Sequence, residues 1–396
     1  MVGYAVSYMS YAVLVAAIAL YALTRYSMLE HEEYRQILSA MGEIVGEKTV
    51  VVTGANAGLG FETAKFLAIH GHKVIMGCRN ATRCAAAKQD IMRHKGITRA
   101  DGTSDESHFV EPDTSLPLDL ASFASIRAFA SAFALKYPRG FDVLVNNAGV
   151  MALIINGDNG TMPRTADGLE AQMGINHFGH FLLTALLFPL LRRGGRVVNH
   201  SSNAHLASPA AFLDADWKFE HTPYTFVTTW QAYAYSKAAN LQFTYEINDR
   251  LAAAGNPLAI MAVAVHPGFT VTDLHGKAVA GSLLHRLDFL LDYVGMRARD
   301  GAQTQILAAI GPAAPDCTGP NPNPDPEPDA SPSRTATHMS VSPSNNTFLQ
   351  PKYVFFGPPR VGRTGKYLPS HQRRLWAESE ALTGQKFNIG PTQPEV

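Results

Sequence analysis

The segment from Lys48 to Gly71 constrains the fold most, because it has the pattern of a strand, a glycine-rich turn and a helix in immediate succession. The β-branched run KTVVVT (48–53) is followed by GANAGLG (54–60) and then by FETAKFLAIHG (61–71). Glycines let a backbone turn tightly and approach a pyrophosphate, whose charge then lies at the helix N-terminus. A second strand-like run at 73–78 follows at the spacing of the next βα unit.

Further along the chain, apolar strand-like runs alternate with helical patterns. This alternation predicts an α/β protein with a Rossmann-like, doubly wound parallel sheet and helices on both faces. In that setting dinucleotide binding is favoured over a purely structural turn. The residues expected to contact the cofactor here are Gly54, Asn56, Ala57, Gly58, Leu59 and Gly60.

The residues after the second strand indicate which dinucleotide is bound. A carboxylate at this point would bond the ribose 2′-hydroxyl of NAD, but the chain has Cys78 and Arg79 there. A guanidinium suits the 2′-phosphate, so the sequence predicts NADP(H). The alternative is a solvated surface arginine. The residue after the last turn glycine is Phe61 and not a basic residue. Arg79 is therefore the basic residue that the sequence pattern offers for the 2′-phosphate.

The first 27 residues are predicted to be a membrane anchor. Residues 2–24 carry no charge and would span about 34 Å as a helix, enough for the roughly 30 Å core of a bilayer. A cleaved signal peptide is the first alternative, although a basic n-region is lacking, and a buried core helix is the second. Arg25 and Arg35 follow the span, which predicts a catalytic domain on the cytosolic face, with the endoplasmic reticulum as the expected membrane.

A second unusual segment, 311–347, interrupts what we predict to be a single domain at 48–387, with a tail at 388–396. It contains nine of the 24 prolines and hardly any large apolar side chain, so it is expected to be an extended insertion. A linker between two domains is the alternative. The net charge is 0 and no basic run is present, which argues against a nucleic-acid partner. Three cysteines are too few for a disulfide framework.

Three further motifs follow predicted strands or begin a helix. NNAG (146–149) ends a strand that starts at Phe141, and NHSS (199–202) ends another that starts at Arg196. YAYSK (233–237) lies on a helical stretch, where Tyr233 and Lys237, four residues apart, share a face. Ligands of open parallel sheets bind at the carboxyl edge, where the first two motifs are expected.

TGANAGLG, NNAG, the paired serines, YxxxK and a later Pro-Gly, in this order, resemble the short-chain dehydrogenase/reductase family. The strings GCRN, INHFGHFLLT and RRLWAESEALTG are similar to its retinol-dehydrogenase-like branch, whose members commonly have an amino-terminal anchor and prefer NADP(H). The resemblance implies an oxidoreductase with a catalytic tetrad of Asn176, Ser202, Tyr233 and Lys237.

The resemblance also implies a role for each member of the tetrad. Tyr233 is the general acid or base, and the ammonium of Lys237 lowers its pKa. Ser202 holds the substrate oxygen, and Asn176 positions a water for proton relay. Ser201 is the alternative to Ser202, and a helix cap or kink is the alternative role for Asn176.

Other residues are implied cofactor contacts by the same resemblance. Asp119, expected to close a strand, matches the position that recognises adenine, with a helix N-cap as the alternative. The remaining candidates lie at the ends of two predicted strands: Asn146, Ala148, Gly149, Pro267, Gly268 and Thr270. The histidines at 177, 180, 200, 205 and 266 lack a paired-ligand spacing and are interpreted as packing or polar residues, not metal ligands.

The sequence therefore predicts an NADP(H)-dependent oxidoreductase that interconverts a hydrophobic alcohol and its aldehyde or ketone, such as a retinoid, steroid or lipid carbonyl. A reductase of another large apolar ring system, similar to protochlorophyllide reductase, is one alternative. A cofactor-binding scaffold whose proline-rich loop recruits partners is the other. A homodimer is compatible with the sequence.

Overall fold

The computed structural model describes residues 46–95, 97–98, 104–151, 162–221, 223, 225–268, 270, 297–311, 347–349 and 367–389. The predicted anchor, nearly all of the proline-rich insertion and most of the predicted tail lie outside these residues. Within them six strands form one parallel sheet, in the spatial order Lys73–Gly77, Thr49–Thr53, Phe141–Asn146, Leu191–His200, Met261–Val265 and Thr347–Leu349. This arrangement confirms the predicted doubly wound α/β fold.

The strands of this sheet and of a small separate hairpin have the following bounds. They are β1 (Thr49–Thr53), β2 (Lys73–Gly77), β3 (Ile97–Thr98), β4 (Ser104–Asp105), β5 (Phe141–Asn146), β6 (Leu191–His200), β7 (Met261–Val265) and β8 (Thr347–Leu349). The hairpin is formed by β3 and β4, which pair antiparallel.

The helices of the described residues connect successive strands as crossovers, except the last helix, which follows the last strand. They are α1 (Gly58–Ile69), α2 (Ala81–Arg93), α3 (Phe123–Lys136), α4 (Ala171–Met173), α5 (Gly179–Leu187), α6 (Phe226–Ala253), α7 (Ala298–Ile310) and α8 (Pro369–Thr383). A π-helical turn, Gly174–Phe178, joins α4 to α5 without a break. Short 3-10 turns lie at Phe188–Leu190, Asn203–Ala207 and Phe212–Asp214.

Alternating side chains of the central strands pack into two cores, one on each face of the sheet. Val50 and Val52 of β1 face α1, α2 and α7, whereas Val51 faces the opposite layer with α3, α5 and α6. All five residues of β1 are buried. A strand that is covered on both faces has no polar side to alternate with, which is why β1 is a continuous run of β-branched residues.

Strand order reverses between β1 and β5, so the connections that leave these two strands run in opposite directions along the sheet. A crevice opens at such a point, outside the carboxyl ends of the strands, because neighbouring crossovers diverge there. The glycine turn leaves β1 and the NNAG motif leaves β5, and both therefore border this crevice. The hydroxyl of Thr53, directly before the glycine turn, donates to the carbonyl of Val145, directly before NNAG. The fold thus brings together two segments that are 92 residues apart in the chain.

The segment between α2 and α3 departs from the prediction. Asp119 does not close a strand, because the chain beside β2 pairs only through isolated parallel bridges from Ile75 to Asp113 and from Cys78 to Pro117. The polar stretch that precedes it is too irregular to form a regular edge strand. Cys78 and Cys84 are joined by a disulfide, a pairing that the sequence did not predict.

Among the described residues one helical stretch, Ala171–Leu190, is long and apolar enough to cross a bilayer. Most of it, 72% of its most apolar window, is buried inside the domain, as expected for a core helix. Its apolar side chains belong to the same core as residues of the sheet, α3 and α6, which accounts for its composition.

Candidate active site

A cavity of about 560 Å³ runs along the carboxyl edge of the sheet and is lined from the ends of β1, β2, β5, β6 and β7 and from one face of α6. Most of the residues predicted for the site line it. These are Gly54, Asn56, Ala57, Gly58, Leu59, Arg79, Asp119, Ala148, Gly149, Ser202, Tyr233, Lys237, Pro267, Gly268 and Thr270. Gly60, Asn146 and Asn176 do not.

The glycine turn is shaped by backbone conformations that favour glycine. Gly54 and Gly58 have φ angles of 65° and 56°, in the left-handed region that side chains disfavour. Gly60 serves packing, because a Cβ there would lie 2.5 Å from the carbonyl oxygen of Gly54 and 2.4 Å from Nδ2 of Asn147. The structure therefore gives Gly60 a role in holding the turn closed, and its predicted contact with the cofactor stays a prediction.

The hydroxyl of Thr53 fixes the two halves of the crevice to each other. It accepts hydrogen bonds from the backbone amides of Asn147 (3.0 Å) and Ala148 (2.9 Å) and is 2.9 Å from Nε2 of His180. The side-chain Nδ2 of Asn147 also donates to the backbone carbonyl of Thr53 at 2.8 Å. These bonds set the distance between the glycine turn and the NNAG segment.

The end of the cavity next to α1 suits an anionic ligand. The N-cap residue of α1 is Ala57, which makes no side-chain cap, so the positive end of the helix dipole faces the cavity without an acceptor from that residue. Arg79 and Arg83, both exposed, line the same cavity. Arg83 was missed by the sequence interpretation. Asn80 caps α2 by accepting from the backbone amide of Arg83. An Asn cap three residues earlier was therefore the available signal that Arg83 lies in the first turn of this helix.

Two predicted cofactor residues have different surroundings. The carboxylate of Asp119 lines the cavity and accepts from the amide of Ala121, whereas the N-cap of α3 is Ser122. The alternative of Asp119 as a helix cap is therefore wrong. Asn146 is buried and donates to Thr184 and Asn199 inside the protein, so it does not line the cavity, whereas Asn147 does.

The two adjacent serines have distinct partners because they lie where β6 ends and successive side chains point in opposite directions. Ser201 is fully buried and donates to the backbone carbonyl of Lys237 at 2.8 Å. Ser202 lines the cavity and is hydrogen-bonded to the side chain of Tyr233. The geometry thus favours Ser202 over Ser201 as the hydroxyl that faces a substrate.

Tyr233 and Lys237 share a face of α6, a helix whose start is fixed by a capping box between Thr225 and Thr228. Nζ of Lys237 is 5.4 Å from the ring centroid of Tyr233 and donates to the carbonyl of His200 at 3.1 Å. Burial raises the pKa of Tyr233 to about 12, and the hydrogen bond from Ser202 opposes this rise. Burial lowers the pKa of Lys237 to about 7.

Asn176 lies in the π-helical turn between α4 and α5, and its amide is held by the segment that follows NNAG. Oδ1 accepts from the amide of Val150 at 2.8 Å, and Nδ2 donates to the carbonyl of Val150 (2.9 Å) and to Ser236 (3.0 Å). A Cβ added to Gly149 would lie 3.3 Å from Oδ1 of Asn176 and 3.6 Å from Nζ of Lys237. Asn176 therefore lies directly behind the cavity wall, on the Lys237 side.

The segment after β7 forms one wall of the cavity. In this segment the hydroxyl of Thr270 donates to the carbonyl of Pro267 at 2.9 Å.

Beside Tyr233 the wall is apolar, with Met151, Ala204 and Trp230 packed together around its ring. Several residues that line the cavity were not predicted as site residues, because the sequence motifs do not show which other side chains the fold brings to the cavity. They include Leu118, Leu120, Met151, Trp230, His200 and His266.

Comparison with known proteins identifies relatives of this chain. A family model described as short chain dehydrogenase matches residues 48–213. Human retinol dehydrogenase 13 is 38% identical over 254 residues, covering 62% of this chain and 67% of the relative. Mouse retinol dehydrogenase 12 is 37% identical over 265 residues, covering 66% and 73%. A crystal structure of an uncharacterized protein from Mycobacterium paratuberculosis has a TM-score of 0.58 and 30% identity, covering 88% of this chain and 98% of that one.

Proposed function

Because the chain belongs to the short-chain dehydrogenase family and is an oxidoreductase of alcohol and carbonyl groups, we propose that it uses NADP(H) to interconvert a hydrophobic alcohol and its aldehyde or ketone. One observation carries the proposal. The same cavity is lined by the N-terminus of α1 and two arginines at one end and by Ser202, Tyr233 and Lys237 at the other.

The residues present fit a nicotinamide dinucleotide. The backbone of the glycine turn lines the cavity at Gly54 and Gly58, and the N-terminus of α1 would hold the pyrophosphate. Asp119 would recognise the adenine end, and Arg79 with Arg83 would pair with a 2′-phosphate. When bound, the nicotinamide supplies or accepts the hydride. Pro267, Gly268 and Thr270 would enclose that end of the cofactor.

Tyr233 is proposed as the proton donor in the direction of carbonyl reduction. A pKa near 12 keeps its hydroxyl protonated at neutral pH, so the general acid is already protonated when the substrate binds. Ser202, already hydrogen-bonded to Tyr233, would donate to the same substrate oxygen and hold it within reach of the phenol. The ammonium of Lys237 then stabilises the phenolate that remains after proton transfer, and Asn176 is proposed to support the return of a proton from solvent.

The apolar wall beside Tyr233 supports a hydrophobic substrate. Met151 and Trp230 pack against the ring of Tyr233. The apolar groups attached to the carbonyl carbon of a bound substrate would therefore lie next to Met151 and Trp230. Retinoid, steroid and lipid carbonyls belong to this class. We further propose that residues 1–27 anchor the domain on the cytosolic face of the endoplasmic reticulum, where such substrates partition. The uncharged span and the two arginines after it support this part of the proposal.

NADPH consumption by the detergent-solubilised full chain tests the function against retinals, steroid ketones and medium-chain aldehydes. Turnover of at least one class is expected, together with a requirement for detergent to extract the chain from membranes. Tight NADPH binding without turnover of any of them would instead support the cofactor-binding scaffold. Release from membranes by alkaline carbonate alone would contradict the anchor.

Replacing Arg79 and Arg83 together by Ala is expected to raise KM for NADPH by about 10-fold to 100-fold. Each guanidinium can supply a charge-assisted hydrogen bond of roughly 1.5–3 kcal/mol to the 2′-phosphate, reduced by its exposure. KM for NADH should change little, because NADH has a hydroxyl at that position. Arg93→Ala is the control, since Arg93 lies at the far end of α2 and pairs with Asp90. An unchanged ratio of the two KM values in the double variant would refute the NADP(H) assignment.

The pH profile of kcat/KM for NADPH, measured at saturating carbonyl, should have an alkaline limb, which is a decline that begins near pH 7. This parameter reports the free enzyme, in which burial lowers the pKa of Lys237 to about 7. The ammonium is present below that pH and is lost above it, so the value should fall by about tenfold per pH unit on the alkaline side. In Lys237→Arg the side chain stays charged, and whatever activity it retains should lack the limb. A profile that rises with pH above 7 would contradict this assignment.

A further inference from the structure

Gln305 of α7 joins three parts of the site through one side-chain amide. Its Nε2 donates to the backbone carbonyl of Leu59 in the glycine turn (3.1 Å), to the hydroxyl of Thr63 and to Oδ1 of Asn147 (3.3 Å). Its Oε1 lies 3.1 Å from Nδ1 of His200, at the end of β6. Gln305 is fully buried, and none of the sequence motifs pointed to it.

These contacts fix the proton on His200. A backbone carbonyl can only accept, so the amide end that faces Leu59 must be the NH₂ group, and the end that faces His200 must be the oxygen. Nδ1 of His200 must then carry the proton and donate to Oε1. Burial lowers the pKa of His200 to about 3, so its ring is neutral and Nε2 is unprotonated.

The peptide of the same histidine holds the lysine of the proposed acid-base pair. The carbonyl oxygen of His200 accepts from Nζ of Lys237 at 3.1 Å and from Nδ2 of Asn240 at 3.0 Å. One residue therefore has its ring bonded to the cofactor side of the crevice and its carbonyl bonded to the catalytic helix. A shift of the ring would move the acceptor that Lys237 depends on, because both belong to the last residue of β6.

We propose that His200 is a positioning residue for Lys237, tethered by Gln305 to the glycine turn. The inference rests on the proposed function, because it assigns His200 a role only through the charge of Lys237. When the tether is cut, the carbonyl of His200 is no longer held in line with Nζ, and the ammonium loses an acceptor that favours its charged form. The charged lysine then becomes rarer at neutral pH.

The titratable groups that face Lys237 come from four elements. Tyr233 lies on its own helix, His180 on α5, His200 on β6 and His266 after β7. Burial lowers the pKa of His180 to about 4 and that of His200 and His266 to about 3, so all three rings stay neutral above pH 5. A limb near pH 7 therefore reports Lys237 and none of these three histidines.

The test compares His200→Asn with His200→Leu in the full chain. Asn places an NH₂ donor close to the position of Nδ1 and can keep the bond to Gln305, whereas Leu fills the space without a donor. We expect the limb of kcat/KM for NADPH to move by about one pH unit to lower pH in His200→Leu and in Gln305→Met. We expect it to stay within a few tenths of a unit in His200→Asn.

A readout that does not depend on turnover uses the cofactor-free protein. Nitrogen-15 NMR of labelled histidines, with His200→Asn to assign the signal, should show His200 protonated at Nδ1 and bare at Nε2 from pH 5 to 9. Protonation at Nε2, or a titration in this range, would overturn the tether even if a leucine variant failed to fold. An unmoved limb in both His200→Leu and Gln305→Met, or equal shifts in all three variants, would also overturn it. Absence of turnover in the wild type would count against the proposed function alone.

Discussion

Tyr233→Phe is expected to lower kcat for carbonyl reduction by about 10²-fold to 10⁴-fold while NADPH still binds. The substitution keeps the ring that packs against Met151 and Trp230 and deletes only the hydroxyl. Without that hydroxyl the alkoxide has no proton donor, and Ser202 is a much weaker acid at the same oxygen. The loss corresponds to roughly 3–5 kcal/mol of transition-state stabilisation. Single-turnover absorbance at 340 nm measures it directly.

Tyr235→Phe is the matched control for this experiment. Tyr235 lies two residues away on the same helix, but its ring packs against Phe212 and its hydroxyl bonds to Gln231. The control removes the same atom from the same helix outside the cavity, so kcat should be close to that of the wild type. Near-normal turnover in Tyr233→Phe, or an equal loss in Tyr235→Phe, would refute the acid-base role of Tyr233.

Gly60→Ala is expected to weaken NADPH binding by about 100-fold, although Gly60 does not line the cavity. The added Cβ would meet the carbonyl of Gly54 and Nδ2 of Asn147 at distances that no real Cβ occupies. Both neighbours are fixed, Gly54 by its backbone and Asn147 by Thr53, so the turn must shift. A displacement of about 1 Å in a binding element is enough for a loss of this size. We also expect roughly 1–3 kcal/mol of lost folding stability.

Gly46→Ala provides the comparison, because a Cβ there meets nothing within 4 Å. Fluorescence titration with NADPH and thermal unfolding should show no change for this variant. If Gly60→Ala bound NADPH like the wild type and had the same melting temperature, the packing role of Gly60 would be wrong. Affinity lost without any change in stability would instead support a direct contact with the cofactor.

The sequence predicted the elements of the site better than their detailed contacts. The spacing of four between Tyr233 and Lys237 requires them to share a helix face, so their meeting follows from helix geometry alone. The glycine turn was equally secure, since only a strand-to-helix turn with φ above zero needs glycines at 54 and 58. The choice of Ser202 over Ser201 came from family resemblance, and its contact with Tyr233 supports that choice.

Sequence reasoning was less secure where strands end. Asn146 was expected beside the cofactor, but β5 continues through it and its amide donates to Thr184 and Asn199 in the core. Asp119 was expected to close a strand, but the chain before it pairs with β2 only through isolated bridges. The point at which a strand ends decides which side chains reach the cavity, because successive residues point to opposite faces of the sheet.

The sequence by itself determined the layered fold, the cofactor turn and the tyrosine-lysine pair, because each depends on periodicity or spacing within a short segment. Tertiary structure decided the rest. It brought Arg83 to the cavity, buried Asn146, and brought Gln305, from the helix before the proline-rich segment, against Leu59, Asn147 and His200. The contacts of Gln305 join residues 105 to 246 positions apart, and they depend on how crossovers pack on a twisted sheet, which no local pattern records.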